Sequence, residues 1–94
     1  MKNAMEKRVE AIKKELMTLE VIRPGKLSKQ KRGAGRRLYN YLSYTFRNES
    51  HTEYVRTKHM EDVKKETEAY GKFKKLIDEW IELSIKLSKL KMKE

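Results

Sequence analysis

The stretch that decides the fold class is LYNYLSYTFRNESHTEYVR, residues 38–56, which is rich in β-favouring residues on both sides of a short polar turn. Residues 38–47 predict one strand and residues 51–56 the returning strand, with Asn48 able to adopt a positive φ in the turn between them. Strand alternation puts the residues of the first strand on two faces: Tyr39 and Tyr41 on one, and Leu42, Tyr44 and Phe46 on the other. A lone hairpin is marginal in water, so it must pack on helices or pair with another chain.

The segment immediately before the hairpin, residues 23–37, is the one electrically unbalanced part of the chain. It carries seven of the ten excess positive charges and no acidic residue, whereas residues 1–22, 38–58 and 59–94 each have a net charge of +1. The cations are Arg23, Lys26, Lys29, Lys31, Arg32, Arg36 and Arg37. Such concentration predicts a polyanionic partner. Because the segment has glycines and a single large apolar residue, Leu27, we expect a basic loop.

On the other side of the hairpin, residues 59–92 predict one long helix. A three-four repeat runs along it: Phe73, Leu76, Trp80, Leu83, Leu87 and Leu90. A second apolar row lies beside the first: Tyr70, Ile77, Ile81 and Ile85. Together the two rows cover well over half of the helix circumference, whereas a single partner helix buries only one stripe. We therefore expect two neighbours for this helix: the first helix, and either the hairpin or a second chain. We therefore expect Tyr70, Phe73, Ile77, Trp80, Ile81 and Ile85 to form an interface.

The first 22 residues complete the prediction of the fold. Residues 3–22 predict an amphipathic helix with one apolar stripe: Met5, Val9, Ile12, Leu16 and Leu19. Pro24 and Gly25 then stop the helix and turn the chain. The predicted fold is a mostly helical α+β single domain, 1–94, in the order N-terminal helix, basic loop, β-hairpin and long C-terminal helix, with the helices antiparallel.

The composition excludes several classes of function. There is no cysteine, which removes disulfides, thiolate zinc sites and thiol nucleophiles. His51 and His59 are the only histidines, and no carboxylate cluster of metal-ligand spacing accompanies them. No apolar run approaches the roughly 20 residues that span a bilayer. We expect a cytoplasmic protein that does not associate with a membrane and that binds no metal or cofactor. Because no catalytic constellation is visible in the sequence, we do not expect an enzyme.

Three stretches carry a resemblance to a known family. Through IRPGKLS (22–28), YNYLSYTFRNESHTEYV (39–55) and YGKFKKLIDEWIELSIKL (70–87), the chain resembles a small bacterial domain family of unknown function, whose members tend to be encoded near transposases and other mobile elements. The family pattern usually has Cys-Gly-x-x-x-Cys-x-Cys and then His-Gly-Pro-Tyr between turn and strand, which looks like a zinc knuckle. Here the matching region reads KQKRGAGRRLYNY, with neither cysteine nor histidine. The resemblance implies the architecture and a mobile-element setting, with a short basic loop in place of a metal-ordered one.

The function that we predict is nucleic-acid binding by a small basic accessory protein in a mobile-element or defence context. The seven cations of residues 23–37 would neutralise phosphates, and Tyr39 and Tyr41, with Tyr44 as a further candidate, would contact bases or sugars. RNA and DNA both remain open as the ligand. The alternative is a protein–protein interaction module, either a helical homodimer or a small inhibitor that docks its long helix on a larger protein. Trp80 motivates this alternative, since tryptophans are enriched at binding hot spots.

Overall fold

The computed structural model describes residues 2–33 and 37–93, with the side chain of Arg32 also left outside the description. Two helices flank a three-stranded sheet in the chain. The elements are α1 (Lys2–Leu16), β1 (Lys26–Arg32), β2 (Arg37–Phe46), β3 (Glu49–Val55) and α2 (Met60–Met92), with a 3₁₀ turn at Thr57–His59 before α2. The predicted mostly helical α+β class, with an N-terminal helix, a hairpin and a long C-terminal helix, is confirmed.

The described chain divides into two compact units. We call Val21–Tyr70 the sheet unit, since it contains the three strands and the first turns of α2. The helical unit contains residues 2–20 and the part of α2 from Gly71 onward. The extent of the domain, 1–94, stays a prediction.

The sheet is antiparallel, with strand order β1-β2-β3. The predicted hairpin is confirmed as β2 and β3, which a two-residue turn joins. Both turn residues adopt positive φ, 51° at Arg47 and 66° at Asn48, the combination that matches a type I′ turn to the right-handed twist of the strands. The turn fixes the register so that Leu42 lies opposite Glu53 and Tyr41 opposite Tyr54.

The prediction that residues 23–37 form a loop is wrong for Lys26–Arg32, which is strand β1 and pairs with β2 along its whole length. The sequence does not reveal this strand, because an edge strand is held by backbone hydrogen bonds to one neighbour and needs little apolar alternation. Leu27 is its one large apolar side chain, and it packs on the core. Lysines are common on edge strands, where they oppose unwanted pairing with other chains.

The first helix is shorter than the predicted 3–22 and ends at Leu16. The Thr18 hydroxyl donates a hydrogen bond to the carbonyl of Glu15 at 2.6 Å, and the Thr18 N–H donates to the same carbonyl at 3.1 Å. A threonine that satisfies a C-terminal carbonyl in this way ends the helix in a turn. The chain is then free to enter the Pro24 turn, which disfavours helical backbone in the residue before proline.

The core of the sheet unit lies between one face of the sheet and the start of α2. Leu42, Val55 and Val63 are buried together, with Leu27, Tyr44 and Met60 packed against them. Gly25 approaches this core so closely that an added Cβ would lie 2.8 Å from Leu42 Cδ1. Its φ of 135° also suits glycine alone. The glycine therefore lets the chain turn into β1 directly against the core.

The helical unit is held by a small apolar core and a charged pair between its helices. Ile12 of α1 is fully buried and Leu76 of α2 is 5% exposed. The Arg8 guanidinium donates to both carboxylate oxygens of Glu79, at 2.6 Å from Nε and 2.8 Å from Nη2. The two-bond geometry fixes the register of α1 on α2. No described helix combines the length and the apolar character needed to cross a bilayer.

Candidate nucleic-acid interface

Strand pairing sorts the residues of the sheet onto two faces, because residues directly opposite each other across a ladder point to the same side. The face that contains Leu42 we call the core face. Its members are Leu27, Lys29, Lys31, Leu38, Asn40, Leu42, Tyr44, Phe46, Glu49, His51, Glu53 and Val55. The opposite face we call the tyrosine face. Its members are Lys26, Ser28, Gln30, Arg37, Tyr39, Tyr41, Ser43, Thr45, Ser50, Thr52 and Tyr54.

Three tyrosines form the centre of the tyrosine face. Tyr54 lies directly opposite Tyr41, with ring centroids 6.0 Å apart, and its ring is 5.8 Å from that of Tyr39. The ring planes meet at 60° and 73°, so the rings touch edge to face rather than in parallel stacks. The three side chains and Gly33 line a shallow depression. The predicted shared face of Tyr39 and Tyr41 is confirmed, and the structure adds a third ring to it.

The charge on the tyrosine face has one sign. Lys26 lies at one end of the face and Arg37 at the other, both exposed. The two carboxylates of the sheet, Glu49 and Glu53, both lie on the core face, so the described strand residues place none on the tyrosine face. Because no internal carboxylate competes for these cations within the face, the positive potential there is available to an anionic ligand.

Arg23, a predicted phosphate ligand, is instead part of a network on the core face. Its Nη2 donates to Glu53 Oε2 at 3.0 Å, and its guanidinium lies 5.2 Å from the centre of the Tyr44 ring. The Tyr44 hydroxyl donates to the other carboxylate oxygen of Glu53 at 2.7 Å. Tyr44 also stacks on His51, with the ring centroids 4.9 Å apart. Arg23 and Tyr44 are thus occupied by partners within the protein.

The same network shifts two pKa values. The hydrogen bond from the Tyr44 hydroxyl, followed by that from Arg23, lowers the pKa of Glu53 below its ordinary value of 4.5. The hydrogen bond to the Glu53 carboxylate raises the pKa of Tyr44 above 10.0. Each shift stabilises the ionisation state that the network requires, a charged Glu53 and a neutral Tyr44.

The remaining predicted cations differ in placement. Lys29 and Lys31 are exposed on β1, and their register puts them on the core-face side of this edge strand. Arg36 and the side chain of Arg32 lie outside the described residues. The structure therefore places Lys26 and Arg37 on the same face of the sheet as the tyrosines. Lys29 and Lys31 lie on the opposite face.

Sequence reasoning missed Tyr54. A signal was present in the hairpin itself: a two-residue turn at Arg47 and Asn48 sets a register in which Tyr41 faces Tyr54. The face on which Tyr54 lies depends on the register of the two strands, because a slip of one residue exchanges the faces.

The predicted interface on α2 is less uniform than the sequence pattern suggested. Phe73, Ile77 and Trp80 are half-buried in the helical unit, and Lys13 of α1 lies 5.6 Å from the centre of the Trp80 ring. Ile81 and Ile85 remain 53% and 51% exposed. They line an apolar depression along the helix together with Ile77, Trp80, Ser84, Ser88, Lys89 and Met92. Tyr70 is half-buried and belongs to the sheet unit.

Within residues 2–33 and 37–93 no three side chains of the types that ligate metals come together in a group able to hold an ion. Comparison of the chain with models of protein families, with curated proteins and with solved structures gives no match. The resemblance to the mobile-element family stays a prediction. The geometry and charge of the sheet are therefore the features that indicate a function.

Proposed function

We propose that the protein binds nucleic acid through the tyrosine face of its sheet and the basic strand at its edge. The observation that carries this proposal is the segregation of charge: both carboxylates of the sheet lie on the core face, while three tyrosines, Lys26 and Arg37 share the other. Cations without carboxylate partners attract phosphates, and exposed aromatic rings accept bases or sugars. Lys29 and Lys31 add positive charge along the same edge strand.

Phosphate binding has a quantitative consequence, the dependence of affinity on salt. If Lys26 and Arg37 neutralise about two phosphates on the tyrosine face, a plot of log K against log salt falls with a slope of about −1.4 to −1.8. Fluorescence anisotropy of labelled oligonucleotides at several salt concentrations measures this slope. A slope near zero would remove phosphate binding from the account.

A matched pair of double variants tests where the phosphates lie. The pair K26E/R37E reverses two charges on the tyrosine face, and the pair K29E/K31E reverses two on the other side of β1, with the same change in net charge. All four residues are exposed, so both variants are expected to fold. We expect K26E/R37E to weaken binding more than K29E/K31E and to reduce the salt slope by about 1.4 to 1.8. Equal losses in the two variants would indicate general attraction without a defined face.

The biological setting of this proposal follows the sequence resemblance alone. We place the protein in the cytoplasm as an accessory factor of a mobile element or a defence system, and we assign it no catalytic role and no cofactor. Binding through phosphates and ring faces suits such a role, because it tolerates many sequences.

A second candidate function is self-association through α2, and the exposed apolar depression around Ile81 and Ile85 favours it. The charged residues beside this depression favour a second copy of the chain as its occupant. In an antiparallel two-fold pair centred between Ile81 and Ile85, Asp78 of each copy would lie beside Lys89 of the other, since both residues flank the apolar row on the same side.

Sedimentation equilibrium tests this second candidate. A dimer that I81E/I85E converts to a monomer is expected, while M17E, at a methionine that is 85% exposed outside the depression, leaves the dimer intact. A wild-type protein that stays monomeric at high concentration would contradict self-association. Nucleic-acid binding by the sheet would be unaffected by that result.

A further inference from the structure

We infer that the ligand of the tyrosine face is single-stranded nucleic acid, whose unpaired bases stack on Tyr39, Tyr41 and Tyr54. This inference rests on the proposed function and specifies its ligand. Bases in a duplex are stacked on one another and hide their faces, whereas an unpaired base offers its face to an aromatic side chain. A site built from ring faces therefore selects the single strand.

The geometry of the rings supports this choice. In an edge-to-face pair, the ring that presents its edge keeps its own flat faces uncovered by that partner. The interplanar angles of 73° and 60° make the Tyr39–Tyr54 and Tyr41–Tyr54 pairs edge to face, so one ring of each pair has flat faces that its partner does not cover. Tyr54 is also 55% exposed, more than half of its surface. The cluster thus combines mutual support of the rings with accessible aromatic surface.

The positions of the cations fit an extended strand of nucleotides. Along β2 the tyrosine face runs from Arg37 through Tyr39 and Tyr41 to Ser43, and Lys26 lies opposite Ser43. The distance from Arg37 to Ser43 along the strand is about 20 Å at ~3.3 Å per residue. A single strand lying along β2 would bring its bases over the rings and its phosphates to a cation at each end.

Aromatic pairs across strands also stabilise sheets, so the test must separate stacking on a ligand from support of the fold. Tyr54 offers two suitable substitutions. Y54F keeps the ring and loses the hydroxyl, and Y54L keeps an apolar side chain and loses the ring. Circular dichroism and thermal unfolding of both variants establish that the sheet is intact before binding is compared.

The probes are a thymidine oligonucleotide, a uridine oligonucleotide, the DNA backbone of the same length with abasic sites, and a duplex of that length. We expect Y54F to bind each of the two base-bearing single strands as tightly as the wild type does. Y54L is expected to lose about 5- to 150-fold in affinity for them, the range measured for removal of one aromatic stacking partner. For the abasic strand and the duplex, Y54L is expected to match the wild type.

The outcomes separate this inference from the proposed function. If Y54L binds the thymidine and uridine strands as tightly as the wild type does, or if the abasic strand binds as tightly as they do, base stacking is overturned while phosphate binding stands. If no probe shows salt-dependent binding, both proposals fall.

Discussion

The two faces of the sheet contain the same kinds of residue and use them differently. On the core face, Arg23 and Tyr44 both bond to the Glu53 carboxylate. On the tyrosine face, Arg37 and three tyrosines lie where the described strands place no carboxylate. The difference shows that an arginine beside a tyrosine is not in itself a binding site. The position of one glutamate decides whether such a pair serves the fold or remains available to a ligand.

The largest expected effect comes from creating a cavity at the buried centre of the core face. Leu42 is fully buried, so L42A removes methyl groups from the centre of the core and is expected to lower the free energy of unfolding by about 2–5 kcal/mol. Urea denaturation followed by circular dichroism measures the change. Leu38 lies on the same strand and face but is 57% exposed, so L38A is expected to cost less than about 0.5 kcal/mol. Equal losses in the two variants would contradict the assignment of the core.

The next effect comes from the turn that brings the chain against this face. G25A puts a methyl group 2.8 Å from Leu42 Cδ1 and holds alanine at a φ of 135°. We expect a loss of about 1–3 kcal/mol in the free energy of unfolding, measured in the same denaturation experiment.

Gly71 provides the matched control for Gly25. It lies within α2, and an added Cβ there meets nothing within 4 Å. G71A is expected to stabilise the protein by about 0.5–1 kcal/mol, because alanine is the better helix former. If G25A were as stable as G71A, the Pro24-Gly25 turn would not lie in close contact with Leu42 in the core.

The smallest effect concerns the pKa of Glu53. Since the Tyr44 hydroxyl is the main cause of its lowered pKa, Y44F is expected to move the pKa of Glu53 up toward 4.5. A carboxyl with a lowered folded pKa stabilises the fold above its unfolded pKa, and that contribution is lost as the pH falls through the folded value. Y44F is therefore expected to reduce the part of acid destabilisation that arises from Glu53. NMR titration of the glutamate carboxyl carbons measures the pKa directly.

Glu79 is the internal control in this titration. The hydrogen bond from Arg8 lowers its pKa in the helical unit, where Tyr44 has no part. Y44F should leave the pKa of Glu79 unchanged, and R8Q should raise it without affecting Glu53. If Y44F shifted neither carboxyl, the hydroxyl would not be the group that holds Glu53 ionised.

The sequence was sufficient to predict those elements in which the pattern of apolar residues indicates a buried side. The hairpin and the long helix were predicted correctly, because the alternation around Leu42 and the three-four repeat of α2 each mark a buried side. Strand β1 has no such pattern, since backbone bonds to β2 hold it and Leu27 is its one large apolar side chain. At the end of α1, the hydroxyl and the N–H of Thr18 both bond to the Glu15 carbonyl, and hydrophobic periodicity does not reveal such bonds.

The candidate site was predicted in part for a related reason. Charge counting located the cations, and alternation put Tyr39 and Tyr41 on one face. Two facts required the pairing of distant residues: the addition of Tyr54 to that face, and the engagement of Arg23 by Glu53 thirty residues away. Composition and local period contain no information on such pairings until the register of the strands is known.

The most direct test of the central claim is an NMR titration of the tyrosine rings. The chain has five tyrosines, so selective ring labelling gives a simple spectrum in which each face reports separately. On addition of a single-stranded oligonucleotide, we expect the ring signals of Tyr39, Tyr41 and Tyr54 to shift while those of Tyr44 and Tyr70 stay in place. Shifts confined to Tyr44 and Tyr70, or no shift of any ring at saturating oligonucleotide, would contradict binding at the tyrosine face.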